Sequence, residues 1–241
     1  MSGRGAWNNA GVGGTKKYKD GDTPGPYYFL GTGMKPDGRR RDNDEYAVYR
    51  AVIAYQRALN RRTKAGLTID GYFGPETSAA TTKFQEAHSD VTGTPWGGIG
   101  PQTSEALLKP DAEKIVADRD TKVTLAMVTE TVRHEGIWDC GAVGYLDPTD
   151  LGLAQINGTA HPTMTKNQRL NPIFSFNFII DYYENALSQL DGNIRDAVAS
   201  YNLGIGGAKQ WIAAGRPDMW TPAGQDRPRD VKGYIDRILQ G

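Results

Sequence analysis

The chain has 241 residues, 38 % hydrophobic and 23 % charged, and its 28 basic and 28 acidic side chains leave a formal net charge of zero. That balance excludes a chain-wide bias toward polyanions such as nucleic acid, and no apolar run approaches the roughly 18 residues that cross a bilayer. A single cysteine, Cys140, excludes an internal disulfide framework.

The amino terminus, "MSGRGAWNNAGVGG", lacks the apolar core of a secretory signal, so synthesis in the cytoplasm without ordinary export is expected. Residues 1–44 are rich in Gly, Pro, Asp and Lys and read as an irregular extension, with an aromatic island at Tyr27-Tyr28-Phe29. Arg39-Arg40-Arg41 is offset by Asp42, Asp44 and Glu45 and reads as a solvated hinge.

From Tyr46 the apolar period becomes helical. Val48, Val52, Tyr55 and Leu59 predict a helix over 45–62, followed by helices over 75–88 and 101–109. The two loop-to-helix junctions repeat each other, as "GPETSAA" (74–80) and "GPQTSEA" (100–106). Proline at the first helical position fixes φ where its missing N–H costs nothing, and the preceding glycine permits the turn. Pro110 is expected to stop the third helix and Asp111 to cap the next segment. "AYQRALN", "DGYFGPETSAATTKFQ" and "GGIGPQTSEALL" together resemble the type 1 peptidoglycan-binding domain. The resemblance covers about 46–108 and implies a three-helix wall-binding module, with a second loop that departs at Trp96-Gly97-Gly98.

Residues 111–241 read as strongly helical, with segments near 112–135, 172–190, 193–202, 205–214 and 230–240 and one strand-like stretch at 143–157. In "TLAMVTETVRHEG", Leu125, Val128, Val132 and Glu135 share one helix face, and Gly136 is a natural residue just past the helix end. Partial burial and the negative end of the helix dipole would both raise the pKa of Glu135, as a general acid near neutral pH requires. The alternative is a helix-end acid paired with Arg133 or a distant base. His88, His134 and His161 have no metal-ligand spacing, since "RHEG" lacks a second histidine one turn on, and no metal or cofactor is expected.

Fifteen residues after Glu135, "DPTDLGLAQIN" places Asp150 before an apolar run that carries Gln155 and Asn157. Asp150 either works with Glu135 or caps the turn after Pro148. A helical glutamate followed by "TDLGLAQIN" resembles the lysozyme superfamily. "GLAQI" and "ASYNLGIGGAKQWIAAG" (199–215) also resemble the soluble lytic transglycosylases, and the likeness covers nearly all of 120–240. It implies Glu135 as general acid and Asp150 as second carboxylate. Gln155, Asn157, Tyr201 and Asn202 would line the saccharide groove, with Gly152 leaving room for a sugar; Tyr201 has a plain core role as its alternative. Of the tryptophans, Trp138 and Trp220 are candidates to stack on sugars, while Trp211 reads as core.

The expected fold is mainly α (α+β): an extension (1–44), a three-helix peptidoglycan-binding domain (45–110) and a lysozyme-like helical domain with a small β-hairpin (111–241). The expected activity is cleavage of the β-1,4 bond between N-acetylmuramic acid and N-acetylglucosamine by a monomeric bacteriophage endolysin. Its partner is bacterial peptidoglycan, with no nucleic acid and no membrane, and it reaches the wall from the host cytoplasm through a pore. Two other readings stay open, a lytic transglycosylase forming 1,6-anhydromuropeptides and a non-catalytic wall-binding or virion protein. A Cys/His peptidase or zinc amidase is disfavoured by the single cysteine and scattered histidines.

Overall fold

The computed structural model describes residues 45–92, 97–144, 146–224 and 226–240; the extension 1–44 and Trp96 lie outside them. The protein is mainly helical with a few two-residue strands. In chain order the elements are α1 (Glu45–Thr63), α2 (Pro75–Ala87), α3 (Ser89–Thr92), α4 (Pro101–Ala117), α5 (Leu125–Glu135), β1 (Asp150–Leu151), β2 (Ile156–Asn157), α6 (Lys166–Arg169), α7 (Pro172–Gln189), α8 (Ile194–Ala213), β3 (Met219–Trp220), β4 (Arg229–Asp230) and α9 (Val231–Gln240).

The chain forms two compact units whose segments alternate along the sequence. One runs through Asp111 and takes in Glu135–Ser175; the other joins Ala112–His134 to the stretch from Phe176 onward. The first unit is therefore made of an early stretch and a later segment that rejoins it.

In the first unit α1 is the central helix. Val48, Val52, Tyr55 and Leu59 are buried as their period predicts, and Ala51, Ala54 and Ala58 extend burial around the helix. Small residues there let neighbours approach closely: a Cβ on Gly141 would lie 3.0 Å from the Ala47 carbonyl oxygen. The repeated junctions have a common physical basis. Gln56 of "AYQRALN" donates through Nε2 to Asp70 Oδ1 (2.9 Å) and the Tyr72 carbonyl (3.1 Å), and accepts from the amides of Asp70 and Gly71. Gln85 of "KFQEA" does the same for the second loop, donating to the Gly98 carbonyl (2.8 Å) and accepting from Gly97 N–H (3.0 Å). Each loop is thus pinned by a buried glutamine one helix earlier, so its buried backbone polar groups stay paired. Gly97 supplies that amide in the loop that lacks the Asp-Gly.

Pro110 does not end its helix, contrary to the sequence expectation: α4 continues to Ala117. A mid-helix proline disturbs carbonyls one turn back. Arg62 braces this stretch, with Nε donating to the Leu107 carbonyl (3.1 Å) and Nη2 reaching Asp111 (2.7 Å). The expected helix near 112–135 is accordingly two helices, α4 and α5, separated by 118–124.

The second unit is built on α7, α8 and α9. Asn193 caps α8 by accepting from Asp196 N–H (3.2 Å), and the helix kinks at Gly204 (φ 71°), between the two segments expected there. Val231, Tyr234, Ile235 and Ile238 give α9 one buried face. Arg216 grips the buried Asp196 with two hydrogen bonds (2.7 and 2.8 Å). No described helix is long and apolar enough to cross a membrane.

Candidate active site

Glu135 is the last residue of α5 and is half-buried. The apolar period brings it there: Val128 and Val132, two turns and one turn earlier, are fully buried. Beyond it the chain does not use Gly136 as a left-handed helix end. Ile137 (φ 47°) and Trp138 (φ 61°) take that conformation instead, at a cost of about 1–2 kcal/mol each for residues with a Cβ. Such strain needs strong surroundings. Trp138 is 1 % exposed, and its carbonyl accepts from Ser104 Oγ (2.5 Å) and Tyr55 Oη (3.2 Å), while the Cys140 N–H donates to Tyr55 Oη (3.2 Å). Trp138 is therefore core and not a sugar platform. Burial pushes the Cys140 thiol far above its usual range, so it has no nucleophilic character.

Gly136 is glycine for a different reason. A Cβ there would lie 2.7 Å from Leu153 Cα and 2.8 Å from the Gly152 carbonyl oxygen. The residue next to Glu135 thus sits directly against the hairpin turn, which fixes the acid's end of α5 on the segment that carries Asp150.

"DLGLAQIN" is not a continuous strand. β1 and β2 pair antiparallel, Asp150 opposite Asn157 and Leu151 opposite Ile156, and Gly152–Gln155 form the turn. Gly152 (φ 72°) and Gln155 (φ 44°) close it, and Leu153 and Ala154 are buried. Gly152 does not make room for a sugar: a Cβ on it would lie 2.2 Å from the Arg169 carbonyl oxygen, so the glycine admits that backbone. Leu151 packs with Ala47 and Leu170, flanked by Tyr46 and Val143.

The acids of the hairpin share one amide. Asn157 Nδ2 donates to Asp150 Oδ1 (2.7 Å) and Asp147 Oδ2 (2.8 Å), and Asn157 Oδ1 accepts from the Ala160 N–H (2.8 Å). Both ends of this side chain are engaged within the hairpin, so Asn157 orients the two carboxylates. Burial holds the Asp150 carboxyl above the usual carboxylate range; Asn157 opposes this, the Asp147 charge adds to it, and Arg169 opposes it again. Asp147 is held below that range by hydrogen bonds from the Thr149 side chain and backbone and from Asn157. Arg169, which the sequence reading missed, braces the hairpin: its Nη1 donates to the Thr149 carbonyl (2.5 Å), in space that Gly158 leaves open. The pair of glycines at 152 and 158 was the available signal.

Gln155 turns its Nε2 back onto the Gly152 carbonyl (3.0 Å), which stabilises the turn. Tyr201 and Asn202 belong to the second unit. Tyr201 packs edge-on against Tyr182 (ring centroids 4.9 Å) and beside Tyr183 (5.4 Å), whose hydroxyl hydrogen-bonds Thr131 of α5 (2.7 Å). The Asn202 carbonyl accepts from Arg229. Trp211 is core, with Nε1 donating to the Pro217 carbonyl (2.8 Å), and Trp220 is half-buried. Among the described residues no three His, Cys, Asp or Glu side chains are grouped to hold a metal ion.

Glu135 thus ends a helix, and the residue after it packs against a carboxylate-bearing hairpin. Residues 115–217 match the family model of the transglycosylase SLT domain. The match takes in Glu135, Asp150, Gln155, Asn157, Tyr201 and Asn202. The chain is an enzyme of the glycosidase class, and this segment is its lysozyme-like, peptidoglycan-degrading catalytic domain. Comparisons with curated proteins and with solved structures return no match.

Proposed function

We propose that the protein is an endolysin of bacteriophage type that cleaves the β-1,4 bond between N-acetylmuramic acid and N-acetylglucosamine, with Glu135 protonating the leaving oxygen. The observation that carries this is the contact of Gly136 with Gly152–Leu153, which ties the half-buried acid to the Asp150 hairpin. Asp150, oriented by Asn157, stabilises the oxocarbenium-like centre or traps it. The helices of residues 45–110 hold the wall; the twice-used glutamine latch and its loops support that assignment. The enzyme accumulates in the host cytoplasm and reaches the wall after release through the membrane.

The experiment is clearance of a peptidoglycan suspension by wild type and Glu135→Gln. Loss of a general acid removes about 10²- to 10⁴-fold in rate. Clearance by the folded variant at wild-type rate sinks the assignment, and sedimentation of both proteins with walls that neither clears supports a non-catalytic binding protein. The SLT match favours a second reading, a lytic transglycosylase in which the substrate's own hydroxyl closes an anhydro ring.

A further inference from the structure

We infer that the first unit carries a second binding site, a pocket for the carboxylate end of a peptide. A cavity of 190 Å³ opens between α1 and the start of α7, with Arg50, Arg57 and Arg61 on one side and Leu170, Pro172 and Ile173 on the other. Arg61 is engaged by Asp111 (2.5 Å). Arg50 and Arg57 have no ion pair or hydrogen bond among the described residues, and the buried Arg50 Nε has no acceptor. Guanidinium groups without a partner at a cavity wall favour an anion there, through paired charge-assisted N–H···O bonds.

The 18-residue α7 begins at this cavity, so the positive end of its dipole adds to the arginines. Asn171 already caps it, its Oδ1 accepting from Ile173 N–H (3.0 Å), so the guanidinium groups and the dipole, and not free amides, recognise the ligand. Ile53 and Ala54 give the pocket an apolar floor. A cationic fork beside small apolar contacts fits a peptide C-terminus bearing a short alkyl side chain better than a bare phosphodiester, which would leave that floor uncovered. The inference rests on the peptidoglycan reading, because the peptide arms of that polymer end in such carboxylates; the pocket would then hold an arm of the strand being cut.

The test titrates the full-length protein with N-acetyl-lysyl-D-alanyl-D-alanine, with its C-terminal amide and with inorganic phosphate, by calorimetry. The free acid is expected to bind at least ten-fold more tightly than the amide. Arg57→Gln, at an exposed position, is expected to weaken the acid at least five-fold while preserving cleavage of peptide-free glycan chains; Arg50→Gln does the same for the peptide. Equal affinity for acid and amide, unchanged affinity in Arg57→Gln, or displacement of the peptide by equimolar phosphate would overturn the proposal. Glu135→Gln keeps the peptide affinity, so a failure of the catalytic assignment shows in glycan cleavage alone and a failure of the pocket in the titration alone.

Discussion

Replacing Asn157 by alanine tests whether one amide holds two carboxylates. The side chain donates to Asp150 at 2.7 Å and to Asp147 at 2.8 Å. Hydrogen bonds to charged groups are each worth about 1.5–3 kcal/mol, but all three residues are only half-buried and water replaces part of the loss, so the expected cost at pH 7 is about 2 kcal/mol. The Asp150 carboxyl, already raised by burial, then loses its main opposing influence and rises further, and Asp147 loses one of the bonds that lower it. The sign comes from linkage. A raised carboxyl contributes stability below its unfolded pKa and loses it as pH rises through the folded value; a lowered one does the reverse. The penalty of Asn157→Ala is therefore full at neutral pH and shrinks as both acids protonate, toward and below about pH 4. Urea denaturation of wild type and variant at pH 7 and pH 4 measures it, and the same change lowers Tm at pH 7 by about 4–8 °C. A penalty under about 0.5 kcal/mol at pH 7, or one equal at both pH values, would refute the shared-donor account.

Gly152→Ala is expected to cost at least about 4 kcal/mol, because strain at φ 72° adds to a backbone clash with the Arg169 carbonyl, whereas Gly204→Ala, with open space around it, costs only the backbone strain of φ 71°, ψ 156°, about 1–3 kcal/mol. Comparable values for the two in denaturant titrations would mean that the hairpin yields. Tyr55→Phe removes the hydroxyl shared by Ser104 Oγ, Trp138 O and Cys140 N–H and is expected to cost about 2 kcal/mol, with hydrogen exchange at Cys140 accelerated. An unchanged midpoint would show that the turn after Glu135 is held without the Tyr55 hydroxyl.

The long helices were legible because their burial obeys one period. Val48, Val52, Tyr55 and Leu59 face one core, and the break expected between 202 and 205 falls at Gly204. Misreadings came where a distant partner overrides a local rule. Pro110 stops no helix, and Arg62, far earlier in the chain, braces the helix there through the Leu107 carbonyl and Asp111. Gly136 was read from its conformational freedom and Gly152 as room for a sugar, yet each is required by backbone that packs against it, Leu153 in one case and Arg169 in the other. The two acceptors of Asn157 were not legible either, because only its register opposite Asp150 reveals them. The alternation of the two units along the sequence arises from long-range contacts that no local pattern encodes.

Asp150→Asn tests whether that carboxylate takes part in the reaction, and its environment lets chemistry be separated from folding. Its carboxyl is desolvated enough to sit above the normal range, so ionising it at neutral pH works against stability. Asp150→Asn keeps the shape, keeps an oxygen for Asn157 Nδ2 and removes that charge. The variant is therefore expected to be as stable as wild type or more so at pH 7. A hydrolase that needs Asp150 as nucleophile or charge stabiliser should lose about 10²-fold or more in rate. Such a loss without loss of stability is the pattern of a group kept for function at a cost to the fold. Mass spectrometry of the muropeptides separates the two reactions. Reducing ends from wild type and a collapse of rate in Asp150→Asn support hydrolysis. Anhydromuropeptides made at nearly equal rates by both would refute it, because an acid that works alone, with the substrate closing its own ring, has no need of a second carboxylate.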